Sequence, residues 1–147
     1  MANGLIKDDL KNFLDEKYQE YNNVKFIEND PIQIPHLFTN HKDIEIAGFL
    51  TSIISWGNRK SIINNAKKMM NLLDNSPHDF IKNCKDSEIK KLEFVHRTFN
   101  SIDFRFFLHS LKNIYTQNES MEDVFLDNNS NFMFDGIINF RKIFFSV

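Results

Sequence analysis

Apolar residues recur along most of this chain at helical rather than alternating spacing, which predicts a protein built from α-helices. Leu10, Phe13, Leu14, Tyr18 and Tyr21 share one face between charged residues, so an amphipathic packing helix is expected from about Leu5 to Tyr21. Asn22 to His41 shows no such period; Pro31 and Pro35 push their predecessors to extended geometry, and the segment reads as an ordered loop. From Lys42 to Ser55, Ile46, Ala47, Phe49, Leu50, Ile53 and Ile54 cover nearly half the circumference of a buried core helix. Asp43 and Glu45 stand in its first turn, where the helix dipole favours anions. Beyond Trp56-Gly57 a two-faced helix runs to about Leu73, with Ile62, Ala66, Met69 and Met70 on one arc and Lys60, Asn64, Lys67 and Lys68 opposite. Ser76-Pro77-His78-Asp79 has a capping Ser, a Pro at the first helical position and an acid after it, and opens a short helix; Asp86-Ser87 opens another. Asn100 or Ser101 can cap a helix whose Phe104, Phe107, Leu108, Leu111, Ile114 and Tyr115 share a side, a stripe from which Phe106 departs. Ser120-Met121-Glu122-Asp123 repeats the capping pattern, Asp127 to Asn131 is a polar loop, and Phe132 to Phe145 is apolar enough to dock as a last helix. The expectation is an all-α fold of about six to eight helices.

Composition narrows the class. A chain of 147 residues, 41% of them apolar and 16 of them Phe, can build one core, so residues 1–147 form a single helical domain. The alternative is an N-terminal part of a larger helical protein, suggested by the aromatic ending Phe144-Phe145-Ser146-Val147. Eighteen basic against twenty acidic side chains give a net charge of −2, which removes any global electrostatic case for nucleic acid or anionic membranes and leaves only local binding. Cys84 stands alone, excluding an intrachain disulfide or a zinc site of paired cysteines. The first residues lack a signal-peptide core, and no stretch approaches the ~20 apolar residues that span a bilayer, so a cytoplasmic protein without a membrane partner is expected.

Three constellations could carry chemistry. In the turn Trp56-Gly57-Asn58-Arg59-Lys60, Gly57 permits a tight reversal and Asn58 can cap the next helix. The N–H groups that follow, with Arg59 and Lys60, would form a helix-terminus anion site. The alternative is an ion pair of Arg59 with an acid such as Asp43 or Glu45. In Phe94 to Asn100, His96 and Arg97 lie between aromatics ahead of a helix carrying Arg105, a pattern that suits backbone phosphates and stacked bases, or equally a loop pinned by a core Phe pair. Asp30 and His36 could pair for acid–base work in an extended loop, or serve as a structural turn and a satisfied His. No phosphate-binding Gly loop, nucleophile elbow, paired-histidine helix or Cys cluster is present, and no cofactor or metal is implied.

The runs FIENDPIQIPH (from Phe26), DIEIAGF (from Asp43), WGNRKSII (from Trp56), DFI (from Asp79) and FVHRTFN (from Phe94) resemble a bacterial family known as domain of unknown function 2400. The resemblance covers about Phe13 to Phe145. It implies a family without assigned activity whose members continue into a further helical part, making this chain an N-terminal portion. The order of an apolar helix, a short polar turn, a two-faced helix and an aromatic-Arg entry to another helix is also similar to the helix-hairpin-helix DNA glycosylases. In those enzymes the turn at the place of Trp56 to Arg59 enters the DNA. Their hairpin and catalytic Lys or Asp have no counterpart before Val147, so the likeness implies DNA contact here and chemistry elsewhere. The leading expectation is therefore a DNA-binding or DNA-repair-like role. Asn58, Arg59 and Lys60 would hold a phosphate, Trp56 would line or wedge the site, and His96, Arg97 and Arg105 would extend the basic surface. The alternatives are a helical interaction module, docking a further C-terminal region or a partner through Phe106, Phe144 and Phe145, and a small-molecule enzyme using Asp30 and His36.

Overall fold

Helical periodicity with few Gly or Pro to break it produces an all-α architecture. In the computed structural model, which describes residues 2–126 and 132–147, all regular elements are helical. They are α1 (Ala2–Tyr21), α2 (Val24–Glu28), α3 (His41–Ile53), α4 (Arg59–Leu72), α5 (Pro77–Asn83), α6 (Asp86–Ile89), α7 (Ser101–Gln117), α8 (Met121–Phe125) and α9 (Met133–Phe144), with two 3-10 turns at Pro31–Gln33 and Pro35–Leu37. The predicted polar loop Asp127 to Asn131 lies outside the described residues.

The expected loop from Asn22 to His41 is instead largely wound. Asn23 caps α2 by accepting from the Phe26 N–H, and Asp30 caps the first 3-10 turn by accepting from the Ile32 N–H at 3.0 Å. Pro31 and Pro35 each sit at the start of a 3-10 turn, where a missing N–H costs nothing. The same residue types that weaken a helix interior thus begin two short helical turns.

The core forms where α3, α4, α5 and α7 bring their stripes together. Ile46, Ala47 and Leu50 of α3, Ala66 and Met69 of α4, Ile81 of α5, and Phe104, Leu108 and Leu111 of α7 are fully buried. Phe106 leaves the α7 stripe because it faces α9: its ring centroid lies 5.7 Å from that of Phe144 and 5.6 Å from that of Phe145. Phe144 is itself buried, 4.9 Å from Phe107 and 5.6 Å from Phe49. Of the three residues expected to cover a partner, Phe144 is therefore core, Phe106 is half-buried, and only Phe145 stays largely open. α9 can lie this close to α8 because Gly136 has no Cβ; one built there would overlap the Phe125 carbonyl oxygen.

Two acids of α3 organise its neighbours. Asp43 accepts from the His78 N–H at 2.8 Å, capping α5 in place of Ser76, whose side chain makes no cap bond. Glu45 accepts from the Tyr115 hydroxyl at 2.8 Å and from the Met121 and Glu122 N–H groups at 3.0 and 3.3 Å, so it helps cap α8 beside Ser120. The predicted packing stripe of α1 behaves differently. Leu10, Phe13, Leu14, Tyr18 and Tyr21 are about half-exposed, and the Tyr21 ring meets that of Phe26 at 5.7 Å. No described helix is long and apolar enough to cross a membrane.

Candidate functional site

The turn after α3 is built from hydrogen bonds that use up the helix end. Ser52 and Ser55 donate their hydroxyls to the Phe49 and Thr51 carbonyls at 2.7 Å each, and the Trp56 N–H closes onto the Ile54 carbonyl at 2.9 Å. Gly57 then takes φ +102°, a conformation other residues reach only with strain. Asn58 caps α4, its side chain accepting from the Ser61 N–H at 3.0 Å. Its carbonamide oxygen is thus engaged within the helix, and the Arg59 and Lys60 N–H groups lie outside that cap bond.

A second loop comes to meet it. His96 and Phe99 exchange backbone hydrogen bonds at 2.8 and 3.0 Å, closing a tight reversal in which Arg97 has φ 56°. Buried Phe94 and Phe99 pin the base of this reversal, and the Ser101 hydroxyl clamps both the N–H and the carbonyl of Phe94 at 3.0 and 3.2 Å. Held this way, the Arg97 guanidinium lies over the Trp56 indole, 4.6 Å from the ring centroid, and against Gly57, where an added Cβ would overlap it. Two constellations about forty residues apart in sequence form one exposed surface.

The fold distributes the other expected residues differently. His96 is buried with its Nε2 unpartnered; burial, and then the adjacent Arg97 charge, hold its pKa below the usual range, so it is neutral at pH 7 and adds nothing to a basic surface. Arg105 is half-buried and donates from Nε to the Leu92 carbonyl at 2.9 Å, bracing the preceding loop. Arg59 does find an acid, though neither Asp43 nor Glu45: its guanidinium lies 3.8 Å from the Asp30 carboxylate and 5.8 Å from the Phe26 ring centroid. Lys60 is exposed and beside Lys67 on a groove that Glu28 also lines, and among the described residues no acid forms an ion pair with it.

Arg59 also lines a second cleft, of about 480 Å³, with Asp30, Pro31, Ile32, Pro35, Gly48, Thr51, Ser52, Ser55, Gly57 and Ile62. The pairing of Asp30 with His36 is not formed: Asp30 lines this cleft, whereas exposed His36 lines a separate hollow with Tyr18, Tyr21 and Phe26. Among the described residues no group of His, Cys, Asp and Glu is arranged to hold a metal ion. Thr51, Ser52 and Ser55, which line this cleft, are not among the residues that the sequence singles out. Their one signal is three hydroxyls near the end of an otherwise apolar helix, which also describes ordinary back-bonding to the helix carbonyls.

Neither the curated proteins nor the solved structures contain a match to this chain. The family model described as "Protein of unknown function (DUF2400)" matches residues 30–147, a range that includes Asp30, the Trp56 turn and the Arg97 loop. The chain belongs to the DUF2400 family.

Proposed function

We propose that the face formed by Trp56, Arg59, Lys60 and Arg97 binds the backbone of DNA. The observation that carries this reading is the Arg97–Trp56 stack, 4.6 Å from cation to ring centroid, which places an exposed aromatic and an exposed guanidinium beside the N-terminus of a 14-residue helix. The first N–H groups of α4 and the exposed Lys60 ammonium supply donors and positive charge for one phosphate. The half-open indole of Trp56, backed by Arg97, offers a stacking surface for a base. A net charge of −2 over the whole chain makes such binding local. The resemblance of the helix order to that of helix-hairpin-helix DNA glycosylases supports this reading.

Fluorescence anisotropy with a labelled DNA duplex tests the reading. Affinity should fall as salt rises, and the Lys60→Ala chain should bind more weakly with a salt slope shallower by about one phosphate contact. Binding that ignores both salt and the Arg59→Ala/Lys60→Ala double substitution would overturn it.

A second reading, an interaction module, rests on a different surface: Phe134, Ile137, Ile138 and Phe145 on the outer face of α9 are each more than half exposed. It predicts binding of a protein partner that is indifferent to Lys60 and sensitive to polar substitution at Ile138.

A further inference from the structure

The exposed face of α4 carries charge that the fold around it does not balance. The fourteen residues of this helix hold four of the chain's eighteen basic side chains, Arg59, Lys60, Lys67 and Lys68, and none of its twenty acids. Acids three or four residues from a lysine stabilise a solvated helix, and the first turn favours anions. α4 has neither aid, opening on two cations with no acid in that turn. Arg59 is partly countered by Asp30, 3.8 Å away, but among the described residues Lys60, Lys67 and Lys68 form no ion pair. Lys60, Asn64, Lys67 and Asn71 are all exposed and, at spacings of four, three and four residues, stand in one row along the helix, with Lys68 on its flank. Lys60, Asn64 and Lys67 line a groove of about 530 Å³ to which Glu28 and Gln33 also contribute.

We infer that the DNA strand whose phosphate meets Lys60 continues along this row, so that Lys67 holds a second phosphate, an extension that rests on the DNA-binding reading and enlarges its footprint. Asn64 donates from between the two lysines, and Lys68 adds charge from the flank. Two helical turns, roughly 10 Å along the axis, separate Lys60 from Lys67, a spacing that suits two phosphates of one strand rather than one. A row of cations and amides without an acid attracts a polyanion, whose binding relieves the repulsion among the lysines. Nucleic acid fits this row better than an acidic peptide does, because the row begins beside the Trp56 indole, where a base can stack. Asp74, exposed just past the helix end, limits the row at Asn71.

Anisotropy of the labelled duplex over a salt series tests this. Lys67→Ala replaces an exposed side chain by a better helix former, so the fold should be kept. It should weaken binding several-fold at low salt and make the salt slope shallower by about one. Lys82→Ala removes the same charge from an exposed position on α5 and should leave the slope unchanged. If Lys60→Ala flattens the slope while Lys67→Ala behaves like Lys82→Ala, the second phosphate contact is overturned and the DNA-binding reading stands. If the parent chain shows no salt-dependent binding, both fall. Displacement of the duplex by poly-L-glutamate at equal concentration of charge would assign the row to acidic protein segments and overturn its assignment to nucleic acid.

Discussion

The Arg97 guanidinium lies over the Trp56 indole with 4.6 Å between the cation and the ring centroid, joining a turn at the start of α4 to a reversal just ahead of α7. Neither loop positions the other through backbone hydrogen bonds in the structure, so this side-chain stack is the direct link between them at the surface. An exposed cation–π pair contributes about 0.5–1 kcal/mol. A double-mutant cycle with Arg97→Ala and Trp56→Ala, read by urea denaturation, should give a coupling energy of that size; a coupling near zero would mean the two groups are neighbours without consequence.

Gly57 faces two demands at once, φ +102° and the approach of Arg97. Gly57→Ala should destabilise the chain by about 1 kcal/mol or more, since a Cβ is strained at that φ. Because the guanidinium can swing away but the backbone cannot, adding Arg97→Ala should restore only part of the loss. Full recovery in the double variant would show that the steric contact, not the conformation, makes Gly necessary.

Glu45 holds three donors from two other helices. Glu45→Ala leaves the Tyr115 hydroxyl and two N–H groups of α8 without their acceptor and should cost about 2–4 kcal/mol in chemical denaturation. Tyr115→Phe removes one of the three and should cost less.

Tyr115 also predicts alkaline behaviour. Burial, and then the hydrogen bond and charge of Glu45, push its phenol far above the usual range. A folded-state pKa raised above the unfolded value of about 10 gives stability that is complete below that value and lost as pH rises past it. Unfolding monitored from pH 8 to 11 should show this loss, and Tyr115→Phe should flatten it.

His96 predicts the acid limb. Its folded-state pKa is lowered by burial and by Arg97, so the stability it supports is present above the unfolded value of about 6.5 and is lost as pH falls below it. His78, also lowered by burial and by Lys42, contributes in the same direction. Stability measured from pH 7.5 to 5 should decline less steeply in His96→Gln than in the parent chain. An unchanged slope would place the acid sensitivity elsewhere, and His78→Gln would then locate it.

Much of the architecture was written in the chain's apolar spacing. The stripes of α3, α4 and α7 are local and periodic, so the residues that form the core could be named without knowing what they pack against. The caps Asn58, Asn100 and Ser120 were readable for the same reason, because a cap acts within three residues of itself. Asn22 to His41 was misjudged because 3-10 turns begin with the residues that end α-helices, and no period survives in three-residue pieces. The α1 stripe is amphipathic as its spacing predicts but stays half-exposed, since an apolar face announces that it can be covered and not by what.

The sequence by itself determined the helical class, the core faces and the turn at Trp56 to Lys60, all of which follow from residues near one another along the chain. Only the tertiary structure decided that Arg97 reaches Trp56 while its neighbour His96 is buried, that Arg59 pairs with Asp30, and that Asp30 and His36 face separate hollows. These outcomes depend on how segments distant in sequence pack together, the 3-10 turns against α3 and α4 among them. Adjacent residues such as His96 and Arg97 are sent to opposite sides of the surface by a single positive φ that no local pattern of polarity encodes.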